Sequence, residues 1–132
     1  MNSVIIGAGT YGEVYLAYLD EAGANVIGFL DDNKDLWGKT IQGRPILGGS
    51  EMLNTLKESH NVKNVYCPIG NNKLRVKFLS LANELGYNTP NYIHPSVTIS
   101  PGVTIGNGVY ILLGSNIMPY TQIDDYTMIS MG

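Results

Sequence analysis

Seven isoleucines, Ile93, Ile99, Ile105, Ile111, Ile117, Ile123 and Ile129, follow one another at six-residue intervals without a gap. Val97, Val103 and Val109 keep the same interval, each two residues ahead of an isoleucine. A helix repeats its face at about 3.6 residues and a strand at every second residue, so neither accommodates the pattern. A period of six marks hexapeptide β-helix repeats. Each hexapeptide forms one side of a triangular coil and turns its isoleucine into a shared core. The spacing predicts a first coil over Ile93–Tyr110 and a second over Ile111–Met128, stacked at the ~4.8 Å of neighbouring strands. Corners need small or left-handed-tolerant residues, which Gly102, Gly106, Asn107, Gly108, Gly114 and Asn116 supply. Tyr110, Tyr120 and Tyr126 are expected at the surface or in subunit contacts. A third coil begins at Ile129, and repeat arrays need about three repeats and a cap. The expectation is therefore a truncated piece of a longer protein.

Before Pro90 the pattern is different. Ser3–Ile6, Asn25–Leu30 and Asn64–Ile69 read as buried strands, the last holding Cys67. Between them Tyr11–Ala22 reads as a helix ended by Gly23, and Ser50 as the N-cap of a second helix running to about Ser59. Ile41–Leu47 reads as one extended segment bent at Gly43-Arg44-Pro45. A third helix, capped by Asn71 or Asn72 and ended by Gly86, would turn Leu74, Phe78, Leu81, Ala82 and Leu85 inward. Strands alternating with helices predict parallel βαβ units. The fold expected is thus α/β: a small Rossmann-like parallel-sheet domain over residues 1–90, then the first coils of a parallel β-helix over residues 91–132.

Gly7-Ala8-Gly9-Thr10-Tyr11-Gly12 fits G-x-G-x-x-G directly after a strand and at the opening of a helix. There the glycines permit a tight turn and close approach to a phosphate, which the helix N–H groups bind. The acid expected at the end of the next strand is Asp31. The pair Asp31-Asp32 could suggest acid/base chemistry or a metal, but reads more simply as a ribose or base contact plus an exposed turn residue. Gly70-Asn71-Asn72 ends another strand at the same sheet edge, where parallel sheets bind ligands. The asparagines serve equally well as helix caps. His94 is expected to be a hydrogen-bonded histidine at the junction of the two parts, and Cys67 a small strand hydrophobe.

Composition narrows the field. Apolar residues make up 44% and charged residues 14% of the 132, a folding composition. A net charge of −3 offers nothing to nucleic acid or an anionic membrane, and one cysteine excludes a disulfide framework or a Cys-rich zinc site. With no signal-peptide pattern after Met1 and no apolar run near ~20 residues, the expected location is the cytoplasm.

Four stretches together resemble the sugar O- and N-acetyltransferases of sialic acid and bacillosamine biosynthesis. They are Gly7–Gly12, Gly28-Phe29-Leu30-Asp31-Asp32-Asn33-Lys34, Ile69-Gly70-Asn71-Asn72-Lys73-Leu74-Arg75 and Ile93-His94-Pro95-Ser96-Val97. The resemblance implies a left-handed β-helix, a homotrimer, a nucleotide-sugar substrate (usually UDP-linked) on the N-terminal domain, and acetyl-CoA as acyl donor along the β-helix. It places Gly7, Gly9, Thr10, Tyr11 and Gly12 near the phosphates, and Asp31, Asp32 and Lys34 near the nucleoside. Gly70, Asn71 and Asn72 fall near the sugar nucleotide. Thr10-Tyr11 departs from the Gly-His of many members, and Ser130 from the asparagine of some. The family's general base is a histidine on the coil after the one where this sequence stops, so no catalytic residue is assigned within it and the expected histidine lies beyond Gly132. Two readings compete: an NAD(P)-binding redox or sensor module, carried by the glycine loop and Asp31, and a structural module that only trimerises.

Overall fold

The computed structural model describes residues 1–130; Met131 and Gly132, the last two residues of the second expected domain, lie outside the described residues. The chain divides into two compact units, Met1–Thr89 and Pro90–Gly132.

The first unit is a five-stranded sheet: β1 (Asn2–Ile6), β2 (Asn25–Leu30), β3 (Thr40–Ile41), β4 (Arg44–Gly48) and β5 (Val62–Tyr66). Their spatial order is β3-β4-β2-β1-β5, all parallel except the β3–β4 pair. β1 sits between β2 and β5, pairing Ile5 with Phe29 on one side and with Tyr66 on the other. Val4, Ile5, Phe29, Leu30 and Val65 are wholly buried, as continuous apolar runs require in a covered parallel sheet. Helix α1 (Thr10–Glu21) buries Gly12, Tyr15, Leu16 and Leu19, one face at helical spacing.

Several boundaries differ from the sequence reading. The segment expected as one bent extension is a hairpin, β3 and β4, turning at Gln42-Gly43 with φ of 49° and 79°. Two consecutive positive φ values make the tight turn whose twist suits a hairpin. The helix expected from Ser50 is a 3₁₀ segment, Ser50–Asn54, followed by α2 (Leu56–Ser59). Ser50 does not cap it; its N–H and hydroxyl both go to Asp32. β5 stops at Tyr66, leaving Cys67 just past the strand yet wholly buried.

α3 (Asn72–Glu84) is capped by Asn71, whose side chain accepts the Leu74 N–H, and ends at Gly86 with φ +88°. Its buried face is Arg75, Phe78, Leu79 and Ala82. That face is rotated by about one residue from the expected one, leaving Leu74 40% exposed. Hydrophobicity alone set the expectation, and it had no means of choosing an arginine for the interior.

The second unit is a parallel β-helix. Its sides are β6 (Tyr92–Ile93), β7 (Thr98–Ile99), β8 (Thr104–Ile105), β9 (Tyr110–Ile111), β10 (Asn116–Ile117), β11 (Gln122–Ile123) and β12 (Met128–Ile129). Ile93 pairs with Ile111 and Ile111 with Ile129; Ile99 pairs with Ile117 and Ile105 with Ile123. The register therefore advances by one coil of three hexapeptides. Val109, Ile111, Ile117 and Ile123 form the buried centre, with Ile93, Ile105 and Ile129 packed partly buried against it.

Ile99 departs from the expected seven-fold core, being 42% exposed. It lies in the first coil, on β7, which pairs with β10. Left-handed corners fall at Gly102, Gly108, Gly114, Tyr120 and Tyr126, again six apart, with φ between 62° and 81°. Gly106, Asn107 and Asn116 do not adopt this conformation, and Asn116 lies within a strand. Tyr110, expected at the surface, is wholly buried, whereas Tyr120 is 83% exposed.

Candidate functional site

In the first unit the chain passes from β1 to β2 and β4 on one side, then returns to place β5 on the other. Loops leaving β1 and β5 therefore diverge, which opens a crevice at the carboxyl ends of the strands. A cleft of about 530 Å³ occupies that place, within the ~300–1,000 Å³ of small-molecule sites.

Gly7, Gly9, Thr10, Tyr11 and Gly12 line one wall of the cleft. Gly7 turns out of β1 with φ +104°, and its N–H donates to the Leu30 carbonyl at 2.7 Å. Gly12 cannot be otherwise: a Cβ there would fall on the Gly7 carbonyl oxygen, far inside contact distance. No side chain caps α1. Thr10, Tyr11 and Gly12 of its first turn line the cleft, at the positive end of the helix dipole. At α3, by contrast, Asn71 takes the Leu74 N–H at 3.0 Å.

Asp31 and Asp32 enter from the end of β2. Asp31 accepts the Ala8 N–H through Oδ2 and the Asn33 N–H through Oδ1, both at 2.9 Å. The Trp37 indole N–H donates to its carbonyl at 2.7 Å. Asp32 accepts the Ser50 N–H at 2.7 Å and the Ser50 hydroxyl at 3.2 Å. A carboxylate offers about four acceptor positions, so each aspartate keeps capacity for ligand hydroxyl or N–H donors. Among the described residues no His, Cys, Asp and Glu cluster suits a metal ion.

Gly70 closes the far side, joined by Ile6, Pro68, Ile69, Leu74 and Phe78, an apolar wall the motif reading did not include. Leu74 and Phe78 stand four apart on α3, and that spacing was the available signal. Lys34, Asn71 and Asn72 are not part of the wall. Lys34 opens the 3₁₀ turn Lys34–Leu36, Asn71 is a cap, and the Asn72 side chain accepts from Arg75 at 2.6 Å.

His94 belongs to the second unit. Its Nδ1 accepts the Ser96 N–H at 3.1 Å and meets the Ser96 hydroxyl at 2.8 Å. A backbone N–H can only donate, so Nδ1 is the acceptor and the hydroxyl donates to it.

Burial pushes the Cys67 thiol from 9.0 up to about 12, against the opposing Ile69 N–H and the Arg75 charge. The thiolate is the reactive form, so Cys67 is expected to resist a disulfide reagent at pH 8 until the chain is unfolded. Its raised native value favours the protonated fold. The stability it lends is full below pH 9 and is lost as pH climbs toward 12. Denaturant titrations of the protein and Cys67→Ala across that range check this, the variant losing less.

No helix among the described residues is long and apolar enough to cross a membrane, and no curated protein matches the chain significantly. Solved structures do. PerB from Caulobacter crescentus, in complex with CoA and GDP-perosamine, is 32% identical at a TM-score of 0.87, covering 100% of this chain and 61% of its own. The acetyltransferase domain of PglB from Neisseria gonorrhoeae, in complex with acetyl coenzyme A, is 27% identical at 0.78, covering 98% and 61%. The chain thus spans about three fifths of each. RSP, a Rex-family repressor seen with β-NADH, is 17% identical at a TM-score of 0.57, covering 98% of this chain and 53% of its own, and shares the fold alone. The model of the PglD N-terminal domain matches residues 2–81, which hold the sheet and the whole cleft wall. The chain belongs to the PglD N-terminal domain family.

Proposed function

We propose that this chain is the nucleotide-sugar-binding part of an acetyl-CoA-dependent sugar acetyltransferase whose acceptor is a nucleotide-linked amino sugar. One observation carries the reading: the cleft joins an uncapped helix N-terminus to two aspartates at the switch point of the sheet. The family and the likeness to PerB support it. The diphosphate would lie on the N–H groups of Gly9–Gly12, and the nucleoside would reach Asp31 and Asp32. The sugar would pass along the Ile69–Gly70 wall, with Lys34, Asn71 and Asn72 at its margins.

In the intact enzyme acetyl-CoA supplies the acetyl group. The sugar amine attacks the thioester carbonyl, its proton passes to a general base, and the thiol leaves. Such bases contribute ~10²–10⁴ in rate. The base, a histidine by the family resemblance, belongs to the part of such enzymes that this chain does not span. A cytoplasmic homotrimer fits the reading, its subunit contacts drawing on the exposed Met118 and Tyr120. Calorimetric titration with UDP, GDP and NADH tests the binding. Saturation by UDP or GDP with none by NADH is expected, UDP being the nucleotide usual in the resemblance. Binding of NADH alone would make the chain a redox or sensor module.

A further inference from the structure

Arg75 is 3% exposed, a cation in the interior of an otherwise apolar helix face. Burying a charge is costly unless it is hydrogen-bonded. Two of its hydrogen bonds reach a single segment. Nη1 donates to the Ile69 carbonyl at 2.8 Å, and Nη2 donates to the Asn72 side-chain oxygen at 2.6 Å. The planar fork thus spans the Ile69–Asn72 turn from one end to the other, a geometry that an ammonium point charge does not reproduce.

What this turn touches gives the clamp its consequence. A Cβ on Gly7 would lie 2.8 Å from Ile69 Cγ1, so Ile69 rests against the start of the glycine loop. A Cβ on Gly70 would lie 3.3 Å from the Tyr11 ring, so Gly70 rests against its end. Ile69, Gly70, Gly7 and Tyr11 all line the cleft, whereas Arg75 does not. We propose that Arg75 is the positioning residue of the cleft, holding Ile69–Asn72 so that Ile69 and Gly70 brace both ends of the glycine loop in its ligand-binding shape. This rests on the reading of the cleft as a nucleotide site, and it acts through other residues, never on the ligand.

Arg75→Lys keeps the charge and loses the fork; Arg75→Met loses both and keeps the apolar stem. The full chain carrying each change is checked for folding by circular dichroism, then titrated with whichever of UDP or GDP the unaltered protein binds. Amide resonances are recorded without nucleotide. Both variants are expected to bind at least about tenfold more weakly, as misplacement of a binding wall requires. The Gly7, Tyr11 and Gly70 amides should shift, and those of Ile111 and Ile123 should stay. Unchanged affinity in a folded Arg75→Lys, with Gly70 and Tyr11 amides unmoved, overturns the proposal. If Arg75→Met fails to fold, Arg75→Lys decides the matter alone. Should the unaltered protein bind neither UDP nor GDP, the functional reading falls, while the amide shifts of Arg75→Lys still test the clamp.

Discussion

Gly12→Ala is expected to abolish measurable nucleotide binding and to destabilise the first unit. The added methyl falls on the Gly7 carbonyl oxygen and lies 3.4 Å from the Phe29 ring. One neighbour is backbone and the other a wholly buried core ring, so neither yields cheaply. Either the loop moves off β1 or α1 shifts in its seat. Both displace the N–H groups that would take the diphosphate in the proposed function, each worth ~1.5–3 kcal/mol as a hydrogen bond to a charged group. Losing two is a drop of roughly 10²-fold or more in affinity. Gly9→Ala is the control. Its backbone is already extended, with φ −91°, and no atom lies within 4 Å of a Cβ there. It should fold as the unaltered protein does, with a thermal midpoint within a few degrees. Equal melting and equal nucleotide affinity for Gly12→Ala would show that the loop is not the rigid element described.

The second large effect concerns the β-helix. Ile111 is wholly buried and paired with Ile93 below and Ile129 above. Ile111→Ala is expected to cost about 2–5 kcal/mol, the transfer of lost methyl groups plus the cavity left behind. Ile99 carries the same residue type at the same repeat position but is 42% exposed. Ile99→Ala should cost under about 1 kcal/mol, since little surface is returned to water. Urea titrations followed by circular dichroism separate the two. Equal costs would mean that the first coil is as closed as the second.

Much of this was readable in the residues. The interval of six specified the β-helix, because a side of six residues turns the same position inward each time, and the pairing of Ile93 with Ile111 then shows three sides to a coil. The glycine loop and Asp31 located the crevice, because a strand, a tight turn and a helix leave few arrangements. Three kinds of feature escaped. Gln42-Gly43 makes a hairpin turn although glutamine seldom adopts positive φ, and Tyr120 and Tyr126 take the corner positions filled earlier by glycine. There the tertiary repeat overrides the preference of the residue. Arg75 was passed over because apolar periodicity assigns helix faces by hydrophobicity, while this interior place is held by hydrogen bonds to Ile69 and Asn72. Ser50 looked like a cap because serine caps helices, but its hydroxyl and N–H answer to Asp32, eighteen residues earlier. Partners distant in sequence leave no local signal.

A crystal structure of the chain soaked with UDP or GDP, whichever titrates, tests the central claim most directly. The diphosphate is expected on the N–H groups of Gly9–Gly12 with the nucleoside against Asp31 and Asp32. Nucleotide bound elsewhere at saturation, with the cleft beside Gly9 empty, would contradict it.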